Sequence, residues 1–161
     1  MTDYNSEEQM ESINSKKVKY FILLLLIPTS FLAQDKPVYD IIGEKISKVA
    51  ATYGKPTYHD KSSPEMECIF YKGKTNRMVF VGNKDGIYQA EMCTTITEKS
   101  TAKNVFDRII TKSISEGFKA DTLNAEVINL KRPGTEMDLS LFNNTYAKQY
   151  EINLKAKKVA D

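Results

Sequence analysis

His59 is the only histidine of this 161-residue chain, and Cys68 and Cys93 are its only cysteines. A histidine can serve in general acid–base work or hold a zinc ion, and Asp60 stands beside this one. Neighbouring residues on extended chain point to opposite sides, and a lone histidine does not complete a usual zinc set. A Cys68–His59 pair would make a nucleophile and its base. Yet Cys68 opens the apolar run Cys-Ile-Phe-Tyr, which reads as a strand that buries the thiol. His59 is therefore expected to be a solvated loop residue.

Two further motifs imitate known sites. Gly73-Lys74-Thr75 has the ending of a phosphate-binding loop, but its first glycine would fall on Cys68, and a strand follows where a helix is required. Asn83-Lys84-Asp85-Gly86 has half the pattern of a calcium loop, with Val81 at the first ligand position and no closing carboxylate. Both read as hairpin turns. No catalytic, metal or cofactor-binding residue is expected, and the chain reads as non-enzymatic.

The elements that carry these residues follow from periodicity. Ile42, Ile46, Val49 and Tyr53 recur at helical spacing, and Gly54 and Pro56 end that helix. Residues 57–66 read as a connecting loop. Strands follow at 67–71, 77–81 and 87–96, joined by turns at 72–75 and 83–86. A second helix begins at a Ser100 or Thr101 cap and carries the stripe Ala102, Val105, Phe106, Ile109, Ile110, Ile114. Gly117 stops it, with Phe118 folding back as in a Schellman motif. Strands at 127–130, 137–142 and 150–154 complete the chain, with turns at 132–134 and 143–145. The fold class is thus α+β: an antiparallel sheet of about six strands with two helices on one face, arranged αβββ-αβββ. Cys68 and Cys93 fall on strands separated by a third, about 10 Å apart at the ~4.8 Å strand spacing. That is beyond disulfide reach, so two buried free thiols are expected.

The N-terminus sets the compartment. Lys16, Lys17 and Lys19 precede an uncharged run at 20–34 that ends in Ala33-Gln34, the order of a secretory signal peptide. Fifteen residues fall short of the ~20 that span a membrane, so no permanent anchor is expected. Residues 1–34 read as leader and signal, with Met10 as a second possible start because the acids Asp3, Glu7 and Glu8 precede it. Residues 35–161 form a single domain. The leader holds three of the 23 basic and four of the 21 acidic residues, which leaves the remainder at +3. A balance this weak suggests no nucleic-acid partner. Lys155, Lys157 and Lys158 read as a fraying C-terminus.

Gly43, Val49, Gly54 and Pro56, followed by Phe70-Tyr71, resemble the opening of small bacterial envelope domains of the OmlA and β-lactamase-inhibitor-protein-like kind. The resemblance covers about 30 residues, and the lipid-modified cysteine of the OmlA type has no counterpart in this chain. It implies helices packed on an antiparallel sheet and a role in holding another protein, with no catalytic residue. The leading expectation is therefore an exported, periplasmic or extracellular binding or accessory domain, an inhibitor or immunity-type protein among its forms. Its partner is another protein, met by the wet sheet face with Arg77, Gln89, Glu91 and Glu151. The alternative is a small exported hydrolase or ligand-binding protein with a pocket between helices and sheet.

Overall fold

A computed structural model describes residues 36–63 and 65–160. The signal segment, its cleavage point and the choice between Met1 and Met10 lie outside the described residues. The chain enters through a 3-10 turn, Val38–Ile41, and then forms α1 (Ile46–Tyr53). Four strands follow: β1 (Tyr58–Ser63), β2 (Met66–Lys72), β3 (Asn76–Asn83) and β4 (Gly86–Ile96). The long helix α2 (Lys99–Ser115) leads to β5 (Lys119–Asn124), β6 (Val127–Arg132), β7 (Thr135–Asn144) and β8 (Gln149–Lys158).

All eight strands make one antiparallel sheet in the order β1-β2-β3-β4-β8-β7-β6-β5. The α+β class and the large antiparallel sheet are as the sequence implies, but the arrangement is αββββ-αββββ and there are eight strands, not six. The two additional strands are the sheet's edges. β1 (YHDKSS) and β5 (KADTLN) carry no apolar alternation, because an edge strand buries little and is kept polar against unwanted pairing. Both also break register, β1 between Asp60 and Ser63 and β5 between Thr122 and Asn124.

Each interior strand divides its side chains by parity. Met137 and Leu139, Ile152, Leu154 and Ala156, Phe80 and Ala90 point to one face and are buried. They meet Val49 of α1, Phe106 of α2 and Tyr39 and Ile41 of the 3-10 turn in one core. The buried face of α2 is set by Ala102, Phe106 and Ser113, with Val105, Ile109 and Ile110 beside them. Ile114 leaves the stripe and is half exposed, since Ser113 occupies the inward position one residue earlier. Neither Ser100 nor Thr101 caps the helix. Glu98 is the N-cap residue and makes no side-chain cap bond.

The C-terminus of α2 matches the Schellman pattern. The N–H of Phe118 donates to the carbonyl of Ser113 (3.1 Å) and that of Gly117 to Ile114 (3.0 Å), with Gly117 at φ 90°. Phe118 then packs edge-on against Tyr39, ring centroids 5.3 Å apart. Arg132 lies 4.4 Å above the Phe118 ring and pairs with Asp40 at 3.5 Å. The residues expected to fray, Lys155, Lys157 and Lys158, stand instead on β8, a central strand bonded on both edges.

The start of β4 is fixed by backbone alone. Gly43 N–H donates to the Ile87 carbonyl (2.7 Å), and Ile87 N–H donates to the Glu44 carbonyl (2.8 Å). Between these bonds Gly86 sits at φ 112°, and a Cβ there would stand 2.8 Å from the Glu44 oxygen. Gly86→Ala therefore adds a backbone clash to the strain of positive φ, and a loss of about 2–3 kcal/mol is expected. Gly117→Ala, in open space at φ 90°, costs about 1 kcal/mol. Urea unfolding of the two variants checks the order; equal losses would remove the proposed role of the Gly43–Glu44 clamp.

Candidate functional site

The helices cover one face of the sheet, and among the described residues no element covers the opposite face. Strand pairing arranges that face in rows. One row runs Lys72, Arg77, Cys93, Asn153, Ser140 across β2, β3, β4, β8 and β7. The next runs Phe70, Val79, Glu91, Lys155, Asp138, Asn129 from β2 to β6. A third runs Cys68, Val81, Gln89, Lys157, Glu136, Lys131. Arg77, Gln89, Glu91 and Glu151, the four residues singled out from the sequence, all stand on this face.

Most of its charges are paired across the strands. Lys155 meets Glu91 (3.4 Å), and Lys157 and Lys131 both meet Glu136 (2.9 and 3.2 Å). Gln89 donates to Glu91 (2.8 Å), Asn144 to Glu151 (2.8 Å), and Asn129 to Glu136 (3.1 Å) and Asp138 (2.8 Å). Arg77 is different. Among the described residues neither its guanidinium nor the ammonium of Lys72, its register partner on β2, has a carboxylate partner, although both side chains are exposed.

Arg77 stands where two depressions meet. One, of about 530 Å³, is lined by Phe70, Lys72, Lys74, Arg77, Cys93 and Glu151 among others. The second, of about 240 Å³, continues past Glu91, Asp138, Asn153 and Lys155. Aromatic rings stand towards either side of this trough. Tyr58 and Phe70 pack together at 5.8 Å near the β1 edge, and Phe142 of β7 is 55% exposed. Lysine and arginine number close to the carboxylates here, so the face has no single-sign field of the kind a nucleic acid follows.

The thiols lie on this same face. Cys93, 7% exposed, is the register partner of Arg77. Burial pushes its pKa up, against a smaller downward pull from Arg77. Cys68 is likewise raised by burial, with Asp60 adding to it; it is only partly buried, a correction to the expectation of two buried thiols. Both are free. Cys68 faces Val81, and Val81 faces Gln89, so the two cysteines are offset by two strands and four residues, about 16 Å at ordinary strand geometry.

His59 departs from expectation. It lies on β1 rather than in a loop, partly buried, with Nε2 3.0 Å from Oε2 of Glu67 on β2. Its register partner is Ile69, a core residue, so the imidazole is on the helix side of the sheet. Cys68 points the other way. The nucleophile–base pairing considered from the sequence is thus not assembled. Sequence reasoning missed the His59–Glu67 pair because a single histidine eight residues from a glutamate carries no pattern until β1 is recognised as a strand. Among the described residues no group of three or more histidine, cysteine or acidic side chains is placed to hold a metal ion.

No protein-family model matches the chain, and no curated protein matches it. Solved structures give distant likenesses. An extracellular protein containing a SCP domain from Bacillus anthracis str. Ames is similar over 77% of this chain, with 12% identity and a TM-score of 0.47. A cysteine-rich secretory protein from Staphylococcus aureus subsp. aureus Mu50 is similar over 76%, with 7% identity and a TM-score of 0.45. The match spans 46% of each of those chains.

The charge ladder has a pH signature. Hydrogen bonds from Lys157 first, then Asn129 and Lys131, lower the Glu136 carboxyl from 4.5 to about 2. A depressed folded-state pKa gives stability that is fully present above about pH 4.5 and lost as pH falls towards 2. Glu136→Gln should therefore differ most from wild type near pH 6, the gap narrowing by pH 2.5 in thermal melts; a pH-independent gap would mean that the ladder contributes no charge-dependent stability. Separately, alkylation without reductant should modify both thiols of the unfolded chain. In the folded chain Cys68 should react first, because Cys93 is the more buried.

Proposed function

We propose that this chain is an exported, non-enzymatic binding domain that holds another protein on the bare face of its sheet, in the cell envelope or outside the cell. The observation that carries this reading is Arg77: an exposed guanidinium with no carboxylate partner, beside the similarly unmatched Lys72 and at the junction of two depressions, on a face most of whose other charges are matched. Arginine and exposed aromatic rings are the side chains that most often anchor protein interfaces, and Tyr58, Phe70 and Phe142 stand around it. A planar fork of donors suits a carboxylate on the partner.

Export rests on the basic and apolar order of residues 16–34. Among the described residues no helix is long and apolar enough to cross a membrane. An inhibitor or immunity-type role is the form we favour, because such a protein acts by occupying a surface and needs no catalytic set. The resemblance to OmlA and β-lactamase-inhibitor-protein-like domains belongs to the same proposal: helices on one side of an antiparallel sheet leave the other side free to hold a partner.

The test is affinity capture by the mature chain from the envelope and medium of the native host. A partner should be retained by wild type and by the helix-surface control Asp107→Ala. Its affinity should fall ten-fold or more, about 1.4 kcal/mol, with Arg77→Glu and with Phe142→Asp. Equal retention by all four proteins would sink the reading. So would hydrolase turnover that His59→Ala abolishes.

A further inference from the structure

The helix-covered side of the sheet is not fully closed. Eight strands at ~4.8 Å spacing span about 34 Å, and a helix with its side chains is about 10–12 Å across. α1 has only 8 residues and packs chiefly on β3, while α2 packs on β4, β5, β7 and β8. Between them lies a cleft of about 300 Å³. Met78, Met92 and Leu154 form its floor, and Val105 and Ile109 of α2 line one wall. Residues 36–39 and Tyr53 border the other side.

The two phenols beside this cleft are already engaged. The Tyr53 hydroxyl donates to the carbonyls of Lys36 and Pro37 (3.1 and 3.2 Å), and that of Tyr39 donates to Glu116 (2.6 Å). Burial pushes both phenols well above their ordinary pKa, so neither supplies a charge at neutral pH. Lys36, Asn76 and Lys112, all exposed, add polar groups to the lining, and the rest of what the cleft offers is apolar surface. Met78, Met92, Val105 and Ile109 belong to the edge of the core yet are only partly buried.

We propose that this cleft is a binding site for a small, predominantly apolar molecule. The volume is at the lower end of small-molecule sites, ~300–1,000 Å³. Two methionines on the floor supply flexible, polarizable side chains that adapt to an irregular ligand. Residues 36–39, tied to α1 through Tyr53, close one side, which favours a compact ligand over a helix laid along the surface. The site lies on the side of the sheet opposite Arg77 and stands independently of the role proposed for that face.

The methionines also report on it. Outside the leader the chain has Met66, Met78, Met92 and Met137; Met66 is at the β1–β2 edge, 52% exposed, and Met137 is fully buried on β7. The mature chain, labelled with ¹³C at the methionine methyls, is titrated with the neutral probe N-phenyl-1-naphthylamine. A saturable 1:1 rise in probe fluorescence is expected, with shifts at Met78 and Met92 and none at Met66. Val105→Trp, which fills the cleft, should weaken binding at least ten-fold while the protein keeps a cooperative melt; Ile109→Phe serves if that variant does not fold. Shifts confined to Met66, or fluorescence that never saturates, would overturn the proposal. So would Met78 and Met92 signals that move on concentrating the protein alone, since a second copy would then be the occupant.

Discussion

The pairing of β4 with β8 is the constraint on which the rest of the structure depends. It joins two four-stranded meanders, each with its own preceding helix, into a single sheet. Eight consecutive partners, from Gln89–Lys157 to Ile96–Tyr150, hold that seam. Where Ala90 meets Ala156, both side chains are small and fully buried. The 3-10 turn packs against both strands, and two alanines leave depth for Tyr39 and Ile41 to enter the core. Larger residues at the seam would push that turn outward and, through Arg132, Tyr39 and Phe118, disturb the end of α2 as well.

The two halves repeat the same order of elements but differ in the length of their helix. α2 has 17 residues and α1 has 8, so the second meander is roofed more completely than the first. The 3-10 turn makes up part of the difference over β4 and β8, and the remaining gap over Met78 and Met92 is the cleft. The aromatic stack of Tyr53 on Phe80 (4.9 Å), with Tyr71 edge-on to Phe80 (6.0 Å), limits it on the α1 side. Rings give a short helix a large buried area. Two turns of helix without them would bury too little to stay docked.

How much of this could be read from residues alone depended on burial. The six interior strands announced themselves because one face of each is buried, as in Met137, Leu139 and Leu141 against Glu136, Asp138 and Ser140. β1 and β5 did not, because an edge strand is specified by its neighbour's open hydrogen bonds rather than by its own apolar pattern. Missing β1 also hid the His59–Glu67 pair. Lys155 and Lys157 misled for a related reason: a lysine on the bare face of a central strand and a lysine in a fraying tail look the same until the carboxylates opposite, Glu91 and Glu136, are placed. Arg77, Gln89, Glu91 and Glu151 could be assigned to one face because parity along β3, β4 and β8 puts them there. That Arg77, like Lys72 beside it, is left without a carboxylate depends on register, which periodicity does not encode.

A bare sheet face has to avoid becoming a sticky surface, and this one does so through its pairings. Its apolar side chains, Phe70, Val79, Val81 and Phe142 among them, are set among charged and amide groups, and Val81 is only 9% exposed. Cross-strand ion pairs between exposed residues contribute little stability singly; their value here is in keeping the face polar and its long side chains arranged without a covering layer. Against that background an unmatched arginine has a different meaning from an arginine on a random surface. Glu91, Glu136 and Glu151 are each taken by a lysine or an amide, so no carboxylate nearby competes strongly for Arg77. Apart from the side-chain hydrogen bond to Cys93, its donors face the two depressions on either side.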